Sequence, residues 1–140
     1  LTTDNNRICL GNNSNDFLAC KVSLTATSDK RDKTDITDFT HGLSWITKLR
    51  PVTYRWDMRS NYEDGVPNGS KKEEKLNLGL IAQEELEIEK EHGFANDKND
   101  MLLVNENSDG NYGMQYDRLV PILVNAIKEL SAKVAVLEAG

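Results

Sequence analysis

From Val120 to the end of the chain the large apolar residues Val120, Leu123, Ile127, Leu130, Val134 and Leu137 recur at alternating steps of three and four. That spacing keeps one apolar seam along one side of a helix, with Val, Ile and Val at one core position and Leu at the other. No other stretch limits the fold as much, because a helix so patterned must bury its seam against copies of itself or against its own domain. Asp117 predicts the N-cap, and Pro121 falls in the first turns, where its missing N–H costs least. By the usual residue rule this seam favours two parallel strands, and the alternative is a lone amphipathic helix lying on its own domain.

The chain ahead of the seam reads as short mixed elements. Leu1 to Thr27 is dominated by Asn, Asp, Ser and Thr. Its short apolar runs at Ile8–Leu10, Phe17–Cys20 and Val22 predict strands joined by the turn residues 11–16. Ile36, Phe39, Leu43, Ile46 and Leu49 recur at helical spacing from Asp35 or Asp38 as cap, predicting an amphipathic helix ended by Pro51. His41 and Trp45 flank that stripe, and His41 and His92 read as structural or exposed rather than catalytic. Val52–Trp56 alternates as a strand, 57–75 is an excursion ending in the solvated charges Lys71–Lys75, and 76–82 is a second strand. A helix over 83–92 stops at Gly93, and its carboxylates, Glu84, Glu85, Glu87, Glu89 and Glu91, read as a solvated face. Ser108-Asp109-Gly110-Asn111 predicts the turn of a hairpin between 101–105 and 112–116.

These elements make an α+β fold: a small mixed domain of short helices and a hairpin, ending in a coiled-coil helix. With 140 residues, 38% hydrophobic and 29% charged, the chain has one domain's length and a small interior, which suits completion of the core by oligomerisation. A net charge of −6 argues against nucleic acid or an anionic membrane as partner. No apolar run reaches the length of a membrane span, and the opening residues do not read as a signal peptide. Cys9 and Cys20 have no metal-ligand company, so no metal site is expected and reduced thiols are the default.

The chemistry concentrates in Ser28-Asp29-Lys30-Arg31-Asp32-Lys33. A serine is a poor nucleophile until a base takes its proton. A lysine that is desolvated or crowded by a cation such as Arg31 can serve, and Ser/Lys pairs are a known variant of triad logic. Five residues place Lys33 about 140° around a helix from Ser28, or about 16 Å along a strand. The two meet only if the segment turns back, for which Asp29, Asp32 and Asp35 are suitable residues. A charged, solvated loop leading to a helix cap is the plainer reading of the same residues.

Ser28-Asp29-x-Arg31-x-Lys33, two residues, then Ile36 resembles the opening motif of the C-terminal intramolecular chaperone domains of bacteriophage tail spikes, tail fibres and neck appendages. The endosialidase tail-spike domains belong to that family, and the myelin regulatory factor autocleavage domain is similar. Gly79-Leu80-Ile81-Ala82-Gln83-Glu84 resembles the family's central Gly-x-Ile-Ala-Gln-Glu segment, and the terminal heptads follow in order. The resemblance implies a homotrimer, against the two-strand rule, and under three heptads the rest of the fold can set the number. It implies that residues 1–27 end an upstream β-structural fibre, that 28–116 form the chaperone and autoprotease domain, and that 117–140 form the coiled-coil helix. It implies autoproteolysis at Thr27–Ser28 with Ser28 as nucleophile and Lys33 as base, and includes Asp29, Arg31, Ile36, Gln83 and Glu84 as supporting positions.

On this reading the partners are two further copies and the upstream fibre of the same chain. The place of action is the host cytoplasm during virion assembly, and the released chaperone is absent from the mature virion. Cleavage needs no cofactor. The chain has no Gly-x-x-x-x-Gly-Lys phosphate cradle, so a nucleotide at a subunit interface would bind in an unconventional way. The alternative from another class is a non-catalytic trimerisation or adhesion module that stays attached.

Overall fold

The computed structural model describes residues 2–4, 7–12, 14, 15 and 18–140, and divides them into two units: residues up to Thr37 with Asp57–Lys72, and Asp38–Trp56 with Glu73–Gly140. In the first unit β1 (Thr2–Asp4) pairs antiparallel with β2 (Arg7–Cys9), Thr3 opposite Ile8. Of the turn predicted over 11–16, the described residues include Gly11, whose φ of 89° favours glycine, and Asn12, whose Oδ1 accepts from the Ser14 amide at 2.8 Å. Asn13, Asp16 and Phe17 lie outside the described residues. The strand expected to run on from Phe17 does not form over 18–22: Leu18, Val22 and Leu24 are exposed and their backbone has no ladder to join.

The excursion in this unit is more ordered than its composition predicts. Asp57 accepts the Tyr62 hydroxyl at 2.6 Å through Oδ1 and the Gly69 amide at 2.8 Å through Oδ2, while the Tyr62 hydroxyl accepts the Lys71 amide at 2.9 Å. Lys71 of the charge cluster is exposed as expected, yet it lies over the Tyr62 ring, 5.3 Å from its centroid, and donates to the carbonyl of Asn61.

The second unit holds the core. Its elements are α1 (Leu43–Ile46), β3 (Val52–Tyr54), β4 (Asn77–Gly79), α2 (Ala82–Glu91), β5 (Val104–Glu106), β6 (Tyr112–Met114) and α3 (Leu119–Ala139). β3 and β4 are antiparallel with Thr53 opposite Leu78, and β5 and β6 form the predicted hairpin with Asn105 opposite Gly113. The second strand is shorter than predicted because the helix begins at Ala82. Gly93, with φ of 86°, ends α2 in the left-handed conformation a helix stop requires. Trp45, Ile88, Leu103 and Ile122 form one buried cluster, with Phe39, Leu49 and Phe94 packed on it; Leu86, Ala95 and Val104 form another.

The helix predicted from Asp35 or Asp38 is replaced by an irregular segment and the single turn of α1. Asn125 of α3 takes the carbonyls of Phe39 and His41 at 2.7 and 3.1 Å, so those groups are satisfied by α3 instead of by a helix of their own. Asp35 has a left-handed φ of 51° and Ile36 is exposed.

α3 is helical over 21 residues, and its N-cap position is Arg118 with no side-chain cap. Asp117, the predicted cap, lies instead in the 3-10 turn Tyr116–Arg118 that leads into the helix. Ile122 and Ala126 of α3 are buried against its own unit, whereas the six seam residues are 42 to 77% exposed. The stripe that packs on the domain is therefore not the heptad seam, and from Leu130 onward every residue of the helix is exposed. No helix among the described residues is long and apolar enough to cross a membrane.

Candidate functional site

The chain turns back between Ser28 and Lys33 by a single 3-10 turn over Lys30–Asp32. Asp29 sits at its N-cap in extended geometry, and its Oδ1 accepts the Arg31 amide at 2.9 Å. The Asp32 and Lys33 amides then donate to the carbonyls of Asp29 and Lys30, both at 3.2 Å. The turn brings the Lys33 side chain over the start of the segment, where Nζ donates to Ser28 Oγ at 2.7 Å. Thr27, Ser28 and Lys33 are all exposed.

A second set of bonds stiffens the turn. The Arg31 Nη2 and Nε donate to Asp29 Oδ2 at 2.7 and 3.2 Å, and Nε also reaches Oδ1 at 3.1 Å. The guanidinium and the amide of Arg31 hold the Asp29 carboxyl below its ordinary range, and Asp29 in return raises Arg31. Asp29 thus neutralises the cation expected to crowd Lys33.

The amine of Lys33 lies where a general base would take the Ser28 proton. Attack of Oγ on the carbonyl of Thr27 would close a five-membered ring through Cβ, Cα and N of Ser28. For Lys33 to act as the base its amine must be neutral and accept the Oγ proton.

Ile36 of the supporting set is exposed beyond this turn. Gln83 and Glu84 lie in the first turn of α2 in the second unit, Gln83 exposed and Glu84 paired with Arg50 through both carboxylate oxygens. Among the described residues no group of three or more His, Cys, Asp or Glu side chains is placed to hold a metal ion. His92 bonds through Nδ1 to the Ile88 carbonyl at 2.8 Å and stacks on Trp45 with centroids 4.7 Å apart, while His41 meets the His92 ring edge-on at 4.7 Å.

The acidic face expected on α2 is only partly solvated. Glu84, Glu87 and Glu91 are exposed, but Glu85 and Glu89 are 1 and 0% exposed. Glu89 accepts three backbone amides: Leu102 at 2.8 Å through Oε2, and Leu103 and Val104 at 2.8 and 2.9 Å through Oε1. Glu85 accepts the Trp45 indole N–H at 2.8 Å. The signal for both was the four-residue spacing of Glu85 and Glu89 beside Leu86 and Ile88, which puts them on the inward side of the helix.

No curated protein matches the chain. Residues 28–94 match the model of the Peptidase_S74 family, described as chaperone of endosialidase, which begins at Ser28 and bears out the resemblance over that segment.

Proposed function

We propose that this chain is the intramolecular chaperone of a phage tail spike or appendage protein, that it works as a homotrimer, and that it then cuts itself free at Thr27–Ser28 with Ser28 and Lys33. The observation that carries the reading is the 2.7 Å bond from Lys33 Nζ to Ser28 Oγ, made at the first residue of the family-matched segment.

In the cleavage step neutral Lys33 takes the Oγ proton as Oγ attacks the Thr27 carbonyl carbon, and nearby backbone N–H groups stabilise the oxyanion. The proton passes to the Ser28 nitrogen as the C–N bond breaks, leaving an ester from Thr27 to Ser28 Oγ and a free amine. Water hydrolyses the ester to the Thr27 carboxylate and restores the Ser28 hydroxyl. Direct activation of water by the hydroxyl gives the same two products.

The timing is set by solvent. In the single chain the pair has its contact distance but is exposed to solvent. Withdrawal from water disfavours the ammonium, so burial of the turn by neighbouring copies would switch the base on. The exposed seam of α3 supports such an assembly, because an isolated helical extension with Leu130, Val134 and Leu137 bare to water is marginal without partners. Release after assembly removes the folding template, which makes the upstream fibre kinetically hard to undo. The work is done in the host cytoplasm during virion assembly, and the released piece is absent from the virion.

The test is the intact mass, under denaturing conditions, of the wild-type chain beside Ser28→Ala and Lys33→Ala. Two wild-type fragments meeting between Thr27 and Ser28, with both variants whole, are expected. A wild-type chain that stays whole as a verified trimer would instead identify a module that remains attached. A monomeric variant cutting at the normal rate would remove the solvent switch while leaving the dyad.

A further inference from the structure

Glu85 stands at the contact of α1 and α2 with both carboxyl oxygens buried. Oε1 accepts from Trp45, whereas Oε2 meets no hydrogen-bond partner among the described residues. The contrast with Glu89, one helical turn on, is informative. Glu89 has three amide donors for its two oxygens, the arrangement a buried anion requires. Glu85 has one donor for two oxygens and lies near that anion, an arrangement that suits a carboxylic acid and not a carboxylate. Beside it is a cavity of about 10 Å³, the room of one water, bordered by Arg50, Ile81, Glu84 and Glu85.

We propose that Glu85 is a proton-operated latch: as the neutral acid it joins α1 to α2 through Trp45, and loss of its proton draws water to the carboxylate and loosens α1. The proposal is independent of the cleavage reading.

The charged groups of the surrounding elements do not offer the ionised form a free counter-charge. From α1 and the segment after it, Lys48 is paired with Glu91 and Arg50 with Glu84. On the β5–β6 side Glu106 is paired with Lys98, and Tyr112 is 37% exposed. His41 and His92 touch the Trp45 ring, and on α2 Lys90 is paired with Glu87. Desolvation lifts the Glu85 carboxyl from 4.5 to about 7; the Trp45 bond opposes the lift and the Glu89 charge adds to it. An acid raised on folding costs stability as pH rises from its unfolded value to its folded one. The penalty therefore grows between 4.5 and about 7 and is constant above.

The readout is Trp45, which is fully buried, in a Trp56→Phe background that removes the second, half-exposed indole. The expected result is a red shift of Trp45 emission centred near pH 7 that is absent when Glu85→Gln is added. The melting temperature of Glu85→Gln should exceed that of wild type by a margin that widens up to about pH 7 and then holds. Carbon-13 NMR titration of the wild-type glutamate carboxyls is the independent arm, should the variant not fold. A Glu85 carboxyl titrating near the ordinary 4.5, or an emission shift that persists in Glu85→Gln, overturns the latch.

Discussion

The carboxylate of Asp29 bonds both the amide and the guanidinium of Arg31, at 2.9 and 2.7 Å, and so closes the turn that carries Lys33 back to Ser28. If cleavage runs through that pair, Asp29 positions it without touching the reacting atoms. Asp29→Ala, which removes cap and ion pair together, is expected to slow cleavage on the order of tenfold to a hundredfold, the scale of a small misplacement of reacting groups. Asp29→Asn keeps a good cap and should recover part of the rate, whereas Arg31→Ala keeps the cap and loses only the side-chain grip. The time course of fragment appearance by denaturing mass measurement separates these. Equal rates in all four chains would mean the turn forms without Asp29.

Glu89 is the polar residue whose loss should damage the fold most. Glu89→Ala leaves the amides of Leu102, Leu103 and Val104 buried without acceptors, and each costs about 1–3 kcal/mol. The sum approaches the whole stability of a typical small domain, about 5–15 kcal/mol. Glu89→Gln keeps one acceptor oxygen but turns an amide donor towards backbone donors, so it should fall between wild type and alanine. Urea unfolding midpoints measure the order. A midpoint for Glu89→Ala close to wild type would show that water reaches the three amides.

Much of the fold was legible where the decisive interaction is local. The Ser108–Asn111 turn, Gly93 at the end of α2 and the helix through the seam are all set by neighbours a few residues away. The need for a turn between Ser28 and Lys33 was legible from spacing alone, and Asp29 supplies it. What escaped is non-local. The segment from Asp35 has the apolar spacing of a helix, yet its carbonyls at Phe39 and His41 belong to Asn125, 86 and 84 residues on. Glu85 and Glu89 count as surface charges until the chain from Leu102 to Val104 supplies amides to Glu89 and Trp45 supplies its indole to Glu85. A strand over 18–22 needs a partner, and composition cannot say whether one is within reach.

Gly42 precedes α1 where a side chain has no room. A Cβ there would lie 2.6 Å from the Ala126 backbone nitrogen and closer still to the Glu129 carboxylate, which accepts the Leu43 amide at 3.2 Å. The glutamate can swing aside, but the helix backbone cannot. Gly42→Ala should therefore cost about 1–3 kcal/mol by forcing α1 away from α3. Thermal unfolding of Gly42→Ala beside Gly42→Ala/Glu129→Ala tests the assignment: the double variant should remain destabilised, since the backbone clash persists.

The two stripes of α3 predict opposite consequences for similar substitutions. Ile122 is buried within its own unit, so Ile122→Ala should lower the stability of the domain by about 2–5 kcal/mol at any protein concentration. Leu130 and Leu137 are exposed in the single chain, so Leu130→Lys with Leu137→Lys removes nothing the isolated fold relies on. Their loss should appear only in assembly. Sedimentation equilibrium should give a trimer for the wild type and a monomer for the double lysine variant, with the near-ultraviolet circular dichroism of the Trp45 core retained. Val and Ile at one core position with Leu at the other favour two strands on their own, so a trimer would mean that contacts outside the helix set the number. A dimer in the full chain, lost in the same variant, would return the choice to the seam and contradict the trimeric reading. An unchanged oligomer in the variant would place the subunit contacts elsewhere.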